Sequence, residues 1–349
     1  MPAPEQLSEF PDHAWRTATP AEAAMDEGLL SMAVARITSG EIRDIDALLV
    51  VRHGRMVLER YFGDSHRDDL HTMQSVSKSV TSLVVGAAVA DGLLSLDDRV
   101  LATLPQPYRV VANAEPRKAN ITVAHLLGMR SGINFHESPY PGSPLERLNN
   151  SSGDWTTHAL AEPMNADPGA RWQYNSGGVI ALAAVVRAAS GESFQSYAAR
   201  RLFTPIGIDR VRWAASPFDN LAHAGGGLQL RAVDLARIGH LMLHRGRWNG
   251  HQVVPSSWID ASINIGTRGA IRYAGESLDY GMLWYTMPLQ RGAPETDFAS
   301  RIIAAAGNMT QWLFVVPKHG LVMVVTGRGN QSFPAPIDLL RRQVIPAAH

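Results

Sequence analysis

Short hydrophobic runs lie near both ends of the chain, whereas longer apolar stretches with helical spacing fill its middle. The runs at 47–51 and 56–61 flank His53-Gly54 and predict an antiparallel hairpin. Late runs predict four further strands, at 281–285, 301–306, 312–316 and 321–326. Apolar residues with helical spacing predict helices at 21–37, 75–94, 122–127, 179–189, 194–202, 232–243 and 335–344.

This order of elements predicts an α/β fold of the α+β sandwich type. An antiparallel sheet is formed by both chain ends and flanked by helices, and a large, mostly helical region is inserted between them. We expect residues 1–70 and 270–349 to build the sheet subdomain and 71–269 the helical one, with the active site between the two. Residues 133–153 are rich in Pro, Gly, Ser and Asn and predict a long loop at the wall of a binding site.

Composition excludes several kinds of function. The 349 residues carry a formal net charge of zero, which favours neither nucleic acid nor a membrane surface as a partner. The absence of cysteine excludes disulfides, thiolate metal sites and cysteine nucleophiles. No basic segment followed by an apolar core opens the chain, so the expected location is the cytoplasm.

Ser75 and Lys78 form the first candidate for chemistry. A spacing of three places both side chains on one face of the helix, one turn apart. Serine at a helix start lies beside free backbone N–H groups, and a lysine buried among apolar residues loses its proton more easily. The alternative is a serine that caps the helix and a solvated lysine. The residues alone leave both interpretations open.

Two later segments add candidates. Tyr174 precedes a turn of small residues that opens a helix, and a phenol beside a lysine can shuttle protons. A half-buried tyrosine with a capped hydroxyl is the alternative. The small residues at 304–307, followed by Asn308, would let a substrate or another backbone approach a late strand closely, or would simply pack tightly.

Together these residues resemble the serine β-lactamase-related family, in which Ser-x-x-Lys is followed by a tyrosine and then by a strand of small residues. The resemblance covers nearly the whole chain and is closest to the 6-aminohexanoate-dimer hydrolase and β-lactamase-fold esterase branch. It rests on LVVRHG (49–54), SVSKSV (75–80), LLGMRSG (126–132), YNSG (174–177), GGGL (225–228) and YGMLW (280–284). It implies Ser75 as nucleophile and Lys78, coupled to Tyr174, as the acceptor of its proton. It also implies Tyr174 as the proton donor to the leaving group, and the backbone N–H groups of Ser75 and Asn308 as the oxyanion hole.

Two departures from the family pattern bear on substrate choice. Ser176 stands where many relatives have asparagine, and Asn175 sits between it and Tyr174, so the family's amide that helps to hold lysine and substrate has no match at that position. Ala305 stands where many relatives have Lys or His, while Gly307 matches the glycine that ends that triad. A cation there binds the carboxylate of a β-lactam or of a peptide C-terminus, so its loss argues against strong β-lactamase activity. Arg328, after the last strand, would substitute for it in part.

The remaining candidates have weaker support. Tyr140, Trp155 and Trp172 are expected to line a substrate pocket, although aromatic residues are more often core. A polar surface loop is a better interpretation than a metal site for the cluster made by His66, Asp68, Asp69 and His71. We therefore expect no metal and no cofactor.

These observations predict a serine hydrolase that cleaves small carboxylic esters or amides through an acyl-enzyme on Ser75. The first alternative is a β-lactamase, D-alanyl-D-alanine carboxypeptidase or D-aminopeptidase. The second is a binding module without catalytic activity on the same fold. The expected partner is a small-molecule ester or amide.

Overall fold

A nine-stranded sheet is the largest element of the fold. The computed structural model describes residues 9–12, 14–105, 115–264 and 266–348. The described strands are β1 (Arg16–Thr17), β2 (Ile45–Arg52), β3 (Arg55–Tyr61), β4 (His71–Thr72), β5 (Arg212–Trp213), β6 (Leu228–Leu230), β7 (Arg247–Trp248), β8 (His251–Gln252), β9 (Thr267–Tyr273), β10 (Glu276–Tyr280), β11 (Tyr285–Pro288), β12 (Arg301–Gly307), β13 (Gln311–Val316) and β14 (Leu321–Gly327). The large sheet has the order β1-β3-β2-β14-β13-β12-β11-β10-β9, and all of its pairings are antiparallel except that of β1 with β3.

Helices cover the sheet and fill the region between its early and late strands. The described α-helices are α1 (Glu27–Thr38), α2 (Val76–Ala90), α3 (Val100–Thr103), α4 (Val123–Leu127), α5 (Pro144–Asn149), α6 (Trp155–Ala161), α7 (Ser176–Ser190), α8 (Phe194–Ala198), α9 (Ala232–Leu243), α10 (Ser256–Ile263), α11 (Ala335–Leu339) and α12 (Ile345–Ala347). Strands β4, β6 and β5 form a small second sheet, and β7 pairs with β8.

Three long helices form the centre of the core. Helices α2 and α7 are buried over nearly their whole length and pack against each other, and α2 also contacts β12. Small residues allow this close packing, since a Cβ atom on Gly86 of α2 would lie 2.5 Å from the indole ring of Trp258. Helix α9 lies across β13 and β14. The first turn of α2 is therefore held between the sheet and the helical region.

The predicted α/β class is confirmed, as is the prediction that both chain ends build the sheet. Strands β2, β3, β12, β13 and β14 and helices α2, α4, α7 and α9 lie where the hydrophobic pattern predicts them. Helix 21–37 begins later than predicted, at Glu27, and the last predicted helix continues from α11 into a π-helix over Leu340–Val344. The subdomain boundaries at 70/71 and 269/270 stay a prediction.

The pattern misses several elements, among them β9, β10 and α5, and misplaces one strand. The predicted strand 281–285 is a turn from which β11 starts at Tyr285. Strands β9 and β10 form a hairpin at the sheet edge, where Arg268, Arg272 and Asp279 interrupt the apolar pattern. The predicted loop 133–153 contains helix α5, which starts from a Ser143 cap but buries only Pro144 and Leu148. Elements with so few buried positions leave little hydrophobic signal.

In the part of the chain that the structure describes, no single helix is long and apolar enough to cross a bilayer. One helix pair, α7 with Phe194–Ile206, is together long and apolar enough for a membrane span by length and composition alone, but the two helices are bent by 81° relative to each other.

Candidate active site

Ser75 and Lys78 meet at the start of helix α2. The Nζ atom of Lys78 lies 3.0 Å from the Oγ atom of Ser75. Ser75 occupies the N-cap position, yet its side chain makes no capping hydrogen bond to the helix. The hydroxyl is thus directed to the lysine rather than to the backbone, which is the arrangement that an activated nucleophile requires.

Lys78 is almost completely buried, with 2% of its surface exposed. Its ammonium group donates to the carbonyl oxygen of Gly225 at 2.5 Å and lies 4.7 Å from the ring centroid of Tyr174. Burial lowers the pKa of Lys78 to about 8, although the nearby carboxylate of Glu137 acts in the opposite direction. A substantial fraction of this lysine is therefore neutral near physiological pH and can accept a proton.

Tyr174 completes the group from the segment before helix α7. Its phenol lies near the Ser75 hydroxyl, and a second tyrosine, Tyr285 of β11, approaches it from the sheet. Burial, with the charges of Tyr280 and Glu137, raises the pKa of Tyr174 well above its ordinary value. The phenol consequently keeps its proton at neutral pH and is available as a hydrogen-bond donor.

The end of strand β12 lies directly against the nucleophile. A Cβ atom on Gly307 would be 2.9 Å from the backbone nitrogen of Ser75, so only glycine allows this approach. Neither the amide of Ser75 nor that of Asn308 has a hydrogen-bond acceptor among the described residues. Unpaired backbone N–H groups at the nucleophile and at the end of a strand packed against it are the kind of donors from which an oxyanion hole is built.

Three of the predicted pocket residues lie in or next to this cluster. The ring of Trp172 packs on Tyr174 and Tyr280, with centroid distances of 6.4 and 5.6 Å. Ser176 is buried at the first position of α7, where its backbone contacts Gly225. Ala305 is fully buried in β12 and brings no charge to the site.

Tyr140 and Trp155 are connected to the site by contacts that lead to His223. The hydroxyl of Tyr140 accepts a hydrogen bond from Asn149 at 3.1 Å, and Asn149 in turn contacts His223 at 3.0 Å. The ring of Trp155 meets that of His223 edge to face at 5.3 Å. Burial, followed by the charge of Lys78, lowers the pKa of His223 to about 4, so this ring is neutral at physiological pH.

The structure places the Arg328 side chain differently from the sequence expectation. Arg328 forms an ion pair with Asp46 at 2.5 Å and donates to the carbonyl of Phe62, and it contacts none of the described residues around Ser75. The structure therefore does not support Arg328 as the cation that binds a substrate carboxylate.

The His/Asp segment before the nucleophile does not form a single cluster. His66 faces Asp69 at 3.8 Å, Asp68 pairs with Arg210, and His71 faces Asp46. The described residues hold no group of three His, Asp or Glu side chains arranged for a metal ion.

Sequence reasoning missed four residues of the site. The side chains of Glu137, His223 and Tyr285 and the carbonyl of Gly225 all approach Lys78 or Tyr174. Gly225 and Tyr285 lie in or next to the family motifs at 225–228 and 280–284, which marks those segments without assigning the residues a role. Glu137 and His223 have no local pattern that distinguishes them from other loop residues.

Comparison with known proteins identifies the family of the chain. The model of the Beta-lactamase family matches residues 40–345. The chain belongs to the Beta-lactamase family. Its resemblance to that family is thus confirmed, and the curated relatives that it matches include a 6-aminohexanoate-dimer hydrolase and an esterase.

Two curated members of the Beta-lactamase family show how far the similarity extends. The chain is 27% identical over 263 residues to the 6-aminohexanoate-dimer hydrolase of Paenarthrobacter ureafaciens, a match that covers 71% of this chain and 65% of that protein. It is 32% identical over 178 residues to the esterase EstB of Burkholderia gladioli, covering 46% and 44%. The matches thus span less than two thirds of either relative.

A solved structure supports the fold. The octameric penicillin-binding protein homologue from Pyrococcus abyssi superposes with a TM-score of 0.71 at 20% identity, covering 92% of this chain and 78% of that one. At this identity the likeness concerns the fold alone.

Proposed function

We propose that the protein is a serine hydrolase that cleaves small carboxylic esters or amides through an acyl-enzyme on Ser75. The observation that supports this most directly is the 3.0 Å contact between the Ser75 hydroxyl and a buried lysine whose pKa is lowered to about 8. A lysine of this kind serves as the base that serine needs, without a histidine.

In the acylation step, Lys78 removes the proton of Ser75 while Oγ attacks the carbonyl carbon of the substrate. The oxyanion that forms is held by the backbone N–H groups of Ser75 and Asn308, next to the positive end of helix α2. The proton on Lys78 then passes through the Tyr174 hydroxyl to the leaving alcohol or amine as the bond to the acyl carbon breaks.

In the deacylation step, a water molecule takes the position of the leaving group. Lys78, coupled to Tyr174, accepts a proton from this water, which attacks the ester carbon of acyl-Ser75. The tetrahedral intermediate uses the same two N–H groups, and its collapse returns the proton to Ser75 Oγ. These steps require no cofactor.

The side chains around Ser75 favour an uncharged acyl group over a substrate with a carboxylate. Ala305 offers no cation, and Arg328 is paired with Asp46. Trp172 and the tyrosines near it supply an aromatic wall for a small apolar acyl chain. The two curated relatives, an esterase and a 6-aminohexanoate-dimer hydrolase, are consistent with this substrate class.

The test is labelling with a fluorophosphonate probe, followed by intact-mass measurement, with p-nitrophenyl butyrate hydrolysis in parallel. We expect one adduct and turnover for the parent protein and neither for Ser75→Ala. Ser82→Ala is the matched control, because Ser82 is buried on the same helix and its hydroxyl has no partner among the described residues. Full activity in folded Ser75→Ala would refute the proposal.

The same experiment separates the two alternative functions. Turnover of nitrocefin that is faster than turnover of the butyrate ester would favour a β-lactamase or a D-amino-acid peptidase. A parent protein that neither takes up the probe nor hydrolyses either compound would favour a binding module without catalytic activity.

A further inference from the structure

Glu137 connects the segment after helix α4 to the start of helix α7. Its carboxylate oxygen Oε1 accepts a hydrogen bond from the backbone N–H of Ser176 at 2.5 Å. Ser176 is the first residue of α7 and lies two positions after Tyr174. A carboxylate at this place satisfies a backbone donor that the helix itself cannot satisfy.

A continuous set of contacts leads from this hydrogen bond to Lys78. The backbone of Ser176 packs so closely on Gly225 that a Cβ atom on the glycine would lie 2.9 Å from the carbonyl oxygen of Ser176. The carbonyl of Gly225 accepts the hydrogen bond from Lys78 Nζ. A displacement of the start of α7 would therefore move both Tyr174 and the acceptor of the lysine.

We propose that Glu137 is a positioning residue, which anchors the start of α7 against Lys78 and stabilises the ammonium group formed when Lys78 takes the proton of Ser75. The proposal rests on the function proposed above. It assigns to Glu137 the task that a buried carboxylate performs for histidine in other hydrolases, which is to orient the base and to stabilise its protonated form.

The charges around Lys78 support this role. Glu137 raises the pKa of Lys78 against the larger, opposite effect of burial, and it also adds to the raised pKa of Tyr174. Two other titratable side chains lie near the lysine, and both are neutral at pH 7: the pKa of His223 is lowered to about 4, and that of Tyr174 is raised well above its ordinary value. Among these neighbours, Glu137 is the one whose negative charge favours the ammonium form.

Substitution of Glu137 separates its two contributions. Glu137→Gln keeps an oxygen for the Ser176 N–H but removes the charge, so the pKa of Lys78 should fall by about 1 unit, as for a neighbouring charge that is lost. Lysine then becomes a weaker base, and the plateau of kcat/KM should fall as well. Glu137→Ala also loses the hydrogen bond and should reduce the plateau further.

The decisive measurement is an NMR titration of protein labelled with [13Cε]lysine. The chain has three lysines, Lys78, Lys118 and Lys318, so Lys118→Arg and Lys318→Arg assign the three signals. We expect the Lys78 signal to titrate at lower pH in Glu137→Gln than in the parent. Glu146→Gln is the matched control, because this nearby side chain bonds to the amide of Gly142 and should leave Lys78 unchanged.

This readout does not depend on turnover, so a failure of the proposed function and a failure of this inference give different results. If no ester or amide is hydrolysed, the titration still shows whether Glu137 acts on Lys78. An unchanged midpoint for Lys78 in Glu137→Gln would overturn the inference, even in an active enzyme. So would a reduced kcat/KM plateau with an unmoved pH midpoint, because that result indicates a purely structural role.

Discussion

Gly307 of β12 leaves no room for a side chain between the strand and the amide nitrogen of Ser75. A Cβ atom there would lie 2.9 Å from that nitrogen and 2.6 Å from the carbonyl oxygen of Met73. Backbone cannot move aside as the end of a flexible side chain can. This contact brings the end of β12, which directly precedes Asn308, against the amide of Ser75.

We therefore predict that Gly307→Ala separates the N–H donors of Ser75 and Asn308 and lowers kcat by about 100-fold or more, the loss typical of a damaged oxyanion hole. The measurement is ester hydrolysis, with thermal unfolding followed by circular dichroism to show that the variant is folded. A folded variant with parental kcat would show that Gly307 does not control the oxyanion site.

Lys78 should determine the pH dependence of the reaction. Because the neutral amine is the base and its pKa is about 8, kcat/KM should rise with pH and level off above that value. Lys78→Arg keeps a positive charge at every accessible pH and should lower kcat by about 100-fold or more. Lys318→Arg changes an exposed lysine and serves as the control. An unaltered pH profile in Lys78→Arg would exclude the lysine as the base.

Gly225, rather than Ser176, should hold the lysine. The hydrogen bond of Lys78 goes to the Gly225 carbonyl, whereas Ser176 contributes its backbone to the site. Ser176→Ala should therefore change kcat by no more than about threefold, or roughly 0.7 kcal/mol. Gly225→Ala, whose Cβ would meet the Ser176 carbonyl at 2.9 Å, should be far less active. The reverse order of activities in steady-state assays would return the lysine-holding role to the Ser176 side chain.

A buried histidine outside the active site should make the fold sensitive to acid. His240 of α9 is fully buried between Phe10, Trp15 and Trp248, with ring centroids 5.0, 5.6 and 5.7 Å away. Burial lowers the pKa of His240 to about 3, whereas the unfolded chain binds this proton near pH 6.5. The free energy of unfolding should thus be constant above that pH and should fall below it, by about 2 kcal/mol between pH 6.5 and 5.

His240→Phe keeps an aromatic ring in this pocket and should remove that part of the pH dependence. Urea unfolding at pH 7 and pH 5 measures the difference, and His251→Gln, at an exposed position, is the control. If His240→Phe loses as much stability at pH 5 as the parent, the acid sensitivity has another source.

Much of the fold follows from the hydrophobic pattern because buried elements have a clear period. Strands β2, β13 and β14 are buried at every position and were predictable as continuous apolar runs. The edge hairpin of β9 and β10 was not predictable in this way, because one face of β9 is largely exposed and carries arginines. Burial thus controls how visible an element is in the sequence.

The sequence alone determined the relationship between Ser75 and Lys78, because three positions along a helix define a distance without help from the rest of the fold. Only the tertiary structure decided which groups surround this pair. Gly225, whose carbonyl accepts the hydrogen bond of Lys78, is 147 positions away from it in the sequence. Glu137 is 39 positions from Ser176, whose backbone N–H donates to the Glu137 carboxylate. Arg328 was misplaced for the same reason, since the partner of its side chain depends on β2 lying beside β14. Contacts within one element follow from its regular geometry, whereas contacts between elements depend on how the whole core packs.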